Sequence, residues 1–299
     1  MPVDPLIRPR SYLPIEKLLD ELMNRLAAAG IKVQPSRLAA YRRSFRLVRE
    51  RAASGYWENA SIALKDEQLW NDVYEVYSLE HACSGFSDLS EPGLRARLEK
   101  AISGASNLAD EKRTGTRDTL FELVMASWLR VGGFKVSLQN SEDVWFEIQG
   151  VPCIMECKRI QSISKLKSRI DKASEQLIRQ LRAPQNTAMR GFVAVDISKV
   201  FMTSYGVLRG GDWKALGNAF SRRLREFAQE NMKDLASPSH ERIIVVYLFA
   251  GSIGLLPDGG FFSLFGGLVV ALHENFGCNR RLSLRFRDAV NRPDPRLNV

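Results

Sequence analysis

Three residues of this chain stand where strand geometry would gather them into a site: Asp143, Glu156 and Lys158. Asp143 opens the run DVWFEI, Glu156 and Lys158 close the run VPCIMECK, and Gln149-Gly150 between the runs is a turn signal. A hairpin folded at that pair sets Ile148 opposite Val151, Trp145 opposite Ile154, and Asp143 opposite Glu156. Directly opposed side chains have Cβ atoms about 4.5–5.5 Å apart, a spacing at which two carboxylates destabilise the pairing unless a cation neutralises them. Strand alternation sends Lys158 to the face of Glu156 and turns Met155 and Cys157 to the other. A divalent ion held by two carboxylates, with an ammonium beside it, can bind and polarise a phosphate. The register carries this reading, because a slip of one residue turns Asp143 away and brings Glu142 into competition. Gln is also a poor residue for a turn position that needs positive φ. The plainer reading of the same residues is a structural ion pair of Glu156 with Lys158 or Arg159.

Helices must flank this hairpin. Thr114 or Thr116 can cap a helix from about Arg117 to Val131, which Gly132-Gly133 ends. Phe121, Leu123, Val124, Met125, Trp128 and Leu129 cover most of its circumference, leaving Glu122 as a carboxylate that needs a partner. FKVSLQ follows as a first strand. Beyond the hairpin, Ile163, Leu166, Ile170, Ala173, Leu177 and Leu181 recur at helical spacing. The opposite stripe carries Lys165, Arg169, Lys172, Gln176 and Arg179, which suits contacts to phosphates next to the one being acted on, or an ordinary solvated helix face.

The order Glu122, Asp143, Glu156-Cys157-Lys158, laid over helix-strand-strand-strand-helix, resembles the PD-(D/E)xK phosphodiesterase superfamily across about residues 114–198. The resemblance implies an α/β fold, a restriction-endonuclease-like mixed β-sheet flanked by helices. It also implies Mg²⁺, with Mn²⁺ able to substitute, on Asp143, Glu156 and the backbone carbonyl of Cys157. Lys158 would position or activate the attacking water, Glu122 would match a helix glutamate that some members add, and Gln176 a glutamine on the following helix. The activity implied is a metal-dependent endonuclease, a phosphodiesterase of the kind used in restriction or phage defence. One departure from the family pattern is Glu142, where proline usually precedes the aspartate. The alternative is a catalytically silent nucleic-acid-binding or assembly protein on the same fold.

The whole chain is compatible with this. Its 299 residues carry a formal net charge of +9, which favours a polyanionic partner. DNA is expected in preference to RNA, and a homodimer is left open. Cys83, Cys153, Cys157 and Cys278 have no CxxC spacing and read as reduced thiols. No apolar run is long enough to span a bilayer and no apolar signal core opens the chain, so a cytoplasmic protein without a membrane partner is expected. His81, His240 and His273 are not at zinc-ligand spacing, and no GxxxxGK[ST] loop is present.

Residues 1–112 read as an N-terminal all-helical domain or lobe. Helices are expected over 14–29, after Ser36, through IALKDEQLWNDVYEVYSLEHA, and from Pro92 with Ser90 as cap. The second carries Arg37, Arg42, Arg43, Arg46, Arg49 and Arg51, a phosphate grip or a solvated face. Residues 113–275 form the nuclease-like domain, which adds the strand RGFVAVDIS, a helix from Gly211, and the strands RIIVVYLFAGSI and GGLVVALHEN. Residues 276–299 are expected to be a basic C-terminal tail, partly disordered or reaching toward nucleic acid.

Overall fold

The computed structural model describes residues 15–53, 67–104, 115–138, 144–257 and 261–290. Among the described residues four α-helices come first: α1 (Ile15–Ala28), α2 (Arg37–Ala53), α3 (Glu67–Ser84) and α4 (Pro92–Ile102). Then follow α5 (Gly115–Val131), β1 (Lys135–Ser137), β2 (Val144–Ile148), β3 (Val151–Arg159) and α6 (Leu166–Leu181). The chain continues through β4 (Arg190–Asp196), α7 (Ser198–Tyr205), β5 (Leu208–Arg209), α8 (Trp213–Glu230) and α9 (Met232–Leu235), and closes with β6 (Ile243–Leu255), β7 (Phe261–Ala271) and α10 (Asn279–Val290).

The described residues make an α/β fold around one mixed seven-stranded sheet, ordered β1-β2-β3-β4-β6-β5, with β7 pairing β6. β1, β2 and β3 are antiparallel neighbours, and β3, β4 and β6 run parallel. A parallel step needs a crossover, which α6 supplies between β3 and β4. Buried strands of such a sheet are covered on both faces and read as continuous apolar runs, as VVYLFA in β6 does.

Alternation along β3 sorts its side chains between two cores. Cys153, Met155 and Cys157 join α5 residues such as Val124, Met125 and Trp128. Ile154 joins Leu166, Ile170, Ala173 and Leu177 of α6. α5 and α6 therefore lie on opposite faces. The first core continues into α1 through Leu19 and Leu22, into α3 through Val73 and Val76, and into α10 through Leu282 and Phe286.

The C-terminal segment differs from its expected character. Residues 279–290 are a helix whose Leu282, Phe286, Ala289 and Val290 are buried against the sheet. That i, i+4, i+7, i+8 spacing is an amphipathic signal, and Arg280, Arg281 and Arg285 occupy its exposed side. Prolines at 293 and 295 lie outside the described residues. The segment 198–209, passed over by periodicity, holds α7 and β5, both too short to show a repeat. Ser90 does not cap α4. Glu91 stands at that position without a side-chain cap bond, and Ser90 instead donates to Asp88.

Candidate acid and lysine site on the β2–β3 hairpin

The hairpin pairs as its sequence suggests: Ile148 with Val151, Trp145 with Ile154, Val144 with Met155. Gln149 at φ 52° and Gly150 at φ 81° both take positive φ, the requirement of a type I′ two-residue turn. The described ladder stops at Val144. Asp143, and Glu142 which competes with it, lie outside the described residues.

Glu156 and Lys158 share a face of β3, next to Val193 and Val195 of β4. Both valines belong to the core under α6, so this is the α6 face. The Glu156 carboxylate is buried, only 4% exposed, and the Lys158 ammonium makes an ion pair with it. Taking a carboxylate out of water costs several kcal/mol unless it is paired, so an acid at this place in the sheet requires a cation. Here Lys158 is one. The Cys157 side chain turns into the opposite core.

Glu122 has the partner its burial demands. Arg97 of α4 donates from Nη1 to its Oε2 at 3.1 Å. The helices that carry Glu122 and Gln176 thus cover opposite faces of the sheet. Lys165, just before α6, and Lys172 and Arg179 on it are exposed and Arg169 is half-buried, forming the outward stripe. Gln176 is half-buried, and its Oε1 is enclosed without a hydrogen-bond partner among the described residues. No group of three or more His, Cys, Asp or Glu side chains among the described residues is disposed to hold an ion, and Asp143 is not one of those residues.

The residue after Lys158 leads to a network that sequence reasoning missed. Arg159 faces the α5 side and donates from Nε to Asp196 at 2.7 Å, its register partner at the end of β4. Its Nη1 is 3.6 Å from Glu75 of α3. Glu75 also receives Arg37 of α2 at 2.9 Å and Arg117 of α5 at 2.8 Å. Burial pushes the Glu75 carboxyl up, but the three guanidiniums outweigh it and hold the group at about 2. Asp196 accepts from Ser198, whose Oγ also receives the Tyr74 hydroxyl at 2.8 Å and the Gly251 amide at 2.8 Å. Arg37, counted from sequence with a phosphate-gripping cluster, is therefore an internal ion-pair member, while Arg42 pairs with Asp20 at 3.1 Å on the surface. The signal for the network was Glu75 itself, a lone acid inside the aromatic run VYEVY.

Electrostatically, the C-terminal ends of β3 and β4 are fixed from one side by this network while Glu156 and Lys158 turn to the other. Open α/β sheets place ligands at the carboxyl ends of their parallel strands, and that is where this pair stands. No helix among the described residues is long and apolar enough to cross a membrane. No family model, curated protein or solved structure matches the chain.

Proposed function

We propose that the chain is a Mg²⁺-dependent endonuclease of the restriction-endonuclease-like fold, cutting phosphodiester bonds of DNA in the cytoplasm. The observation that carries the reading is the buried Glu156–Lys158 pair on one face of β3, in a hairpin whose described register pairs Trp145 with Ile154 and Val144 with Met155. The run α5-β1-β2-β3-α6-β4 has the element order of the family that residues 114–198 resemble.

The donors fit the ion. Glu156 offers a carboxylate and Cys157 a backbone carbonyl, hard oxygen ligands of the kind Mg²⁺ takes, and the soft Cys157 thiol is turned into the other core. Asp143 supplies the second carboxylate in this reading; Glu122, carried by α5 on the other face of the sheet and paired with Arg97, is left out of the ligand set that the sequence resemblance implied. A bound Mg²⁺ would polarise the scissile phosphate and make its water more acidic. Lys158, released from full duty to Glu156, neutralises charge developing on the phosphorus oxygens and orients the incoming water. Gln176 is carried by α6, the helix that covers the face of Glu156 and Lys158. Lys165, Arg169, Lys172 and Arg179 contact neighbouring phosphates, positioning the strand without reading its sequence. The net charge of +9 supports a polyanionic substrate.

A second reading, a nucleic-acid-binding or assembly protein without cleavage, is favoured by the pairing of both described acids: Lys158 and Arg97 already neutralise Glu156 and Glu122. Plasmid DNA and RNA incubated with Mg²⁺, Mn²⁺ or EDTA separate the two. Cleavage that needs metal and is lost in Lys158→Ala and Asp143→Asn is expected. Binding without cutting in every condition would establish the second reading instead.

A further inference from the structure

Trp213 is the exposed tryptophan among the described residues. Trp70 and Trp128 are buried and Trp145 is half-buried, whereas the Trp213 side chain is 49% exposed. Single apolar side chains on a surface are ordinary, so exposure alone assigns it nothing. Its place in the fold and the charge around it do.

Trp213 opens α8, whose first turn is capped by Asp212 accepting from the Ala215 amide at 2.7 Å. Leu216, one turn further in, lies against Gly254 of β6 and belongs to the core that α6 also covers. α8 therefore packs on the α6 side of the sheet. β5 runs beside Gly254 and Leu255 and leads through Gly210 and Gly211 into this helix, so Trp213 sits beyond the carboxyl end of β6. Lys158 stands at the carboxyl end of β3, which runs parallel to β4 and, through it, to β6.

The register measures the separation. Lys158 pairs with Val195 and Val195 with Leu248, two strand spacings or about 10 Å. From Leu248 to Gly254 the strand advances about 20 Å at ~3.3 Å per residue. Trp213 is thus on the order of 20–25 Å from Lys158, roughly six steps of a nucleic-acid strand at ~3.4 Å each. Cations stand at the same end: Lys199 follows β4, Arg209 ends β5 and Lys214 follows Trp213. Arg209 and Lys214 are exposed, and none of the three forms an ion pair among the described residues. The acid of this loop, Asp212, is engaged as the helix cap.

We infer that Trp213 is a base-stacking platform, on which an unpaired base of the strand held at Lys158 rests while Arg209 and Lys214 contact the flanking phosphates. The ligand class follows from the chemistry. An exposed indole face stacks on any base, and unpaired cations on either side of it complement the phosphates that the base carries with it. A base inside a duplex has both faces occupied by its neighbours, so the ligand is a single-stranded stretch, about six nucleotides from the bond acted on. The inference rests on the proposed nuclease reading and names its substrate class.

Binding is measured in EDTA, so that cutting does not interfere, with a labelled DNA single strand of about twelve nucleotides and with the duplex of the same sequence. Trp213→Ala is expected to melt as the wild type does and to bind the single strand about 5- to 100-fold more weakly, the worth of one stacked base, with little change for the duplex. Trp213→Phe, which keeps an aromatic face, should recover most of that loss. Salt gives an independent readout. Trp213→Ala should leave the slope of log affinity against log salt unchanged, whereas Arg209→Ala and Lys214→Ala should each lower it by about 0.7. Wild-type affinity for the single strand in Trp213→Ala overturns the inference, and cleavage by that same protein in Mg²⁺ leaves the nuclease reading standing. Equal losses for single strand and duplex, or a change in self-association alone, also overturn it. Weakened single-strand binding by Trp213→Ala, when the wild type cuts nothing in Mg²⁺, supports the platform and removes the nuclease reading. A wild type that binds neither nucleic acid removes both.

Discussion

Glu75 is the residue on which the most charges converge, and its consequences are calculable. Arg37, Arg117 and Arg159 reach it from α2, α5 and β3, and all four side chains are enclosed. Removing one partner from a buried ion network costs about 3–5 kcal/mol, because the groups left behind are uncompensated. Glu75→Gln, which keeps the shape and removes the charge, is expected to fall in that range by urea unfolding at neutral pH. The same carboxyl sets a pH dependence. Held at about 2 against an ordinary 4.5, it binds its proton more readily unfolded than folded, so it stabilises the fold fully above the unfolded value. That contribution, on the order of 3 kcal/mol, is lost as pH falls toward 2. The wild type should therefore show a steeper loss of stability between pH 5 and 2 than Glu75→Gln, and parallel acid profiles would remove Glu75 from the account.

At the scale of elements, the β2–β3 hairpin decides what chemistry is available, and its turn is the least favourable part of it. Gln149 adopts φ 52°, a left-handed conformation that asparagine and glycine tolerate better. The Gln149 side chain is exposed, so nothing in the packing demands glutamine. Gln149→Asn should raise stability by about 0.5–1 kcal/mol, measured as an upward shift in melting temperature, with cleavage unchanged since the register stays the same. A destabilised variant would mean that the turn is held by something other than its φ preference. The hairpin was legible in sequence because two apolar runs flanked a Gly-containing pair, and period-two alternation then assigned Glu156 and Lys158 to one face. The partner of Glu122 was not legible. Arg97 sits on a different helix, 25 residues earlier, and only the packing of α4 on α5 brings it within 3.1 Å.

For the molecule as a whole, the helical N-terminal part and the sheet share one apolar core and one ion network. Leu19 of α1, Val76 of α3, Met125 of α5, Met155 of β3 and Phe286 of α10 belong to the same buried cluster. Sequence composition suggested a helical lobe, a sheet domain and a tail because periodicity reports each amphipathic face separately and says nothing of which faces meet. Charge supplies the missing link: Arg37 of α2 and Arg159 of β3 both end on Glu75 of α3, so separating the helices from the sheet would strand a buried acid or a buried guanidinium. Gly85, at the end of α3, tightens the same junction, since a Cβ there would stand 2.5 Å from the Ser127 Cα of α5. Parts joined in this way lose most of their stability when one opens, which is the condition for cooperative unfolding. Trp70 in α3 and Trp145 in β2 report on the two parts. Single-tryptophan variants retaining either one should unfold in urea with coincident midpoints, matching the loss of helical circular dichroism. An earlier transition at Trp70 alone would show the helices acting as a separable domain, and would detach Glu75 from the support of Arg159 and the strand that carries Glu156 and Lys158.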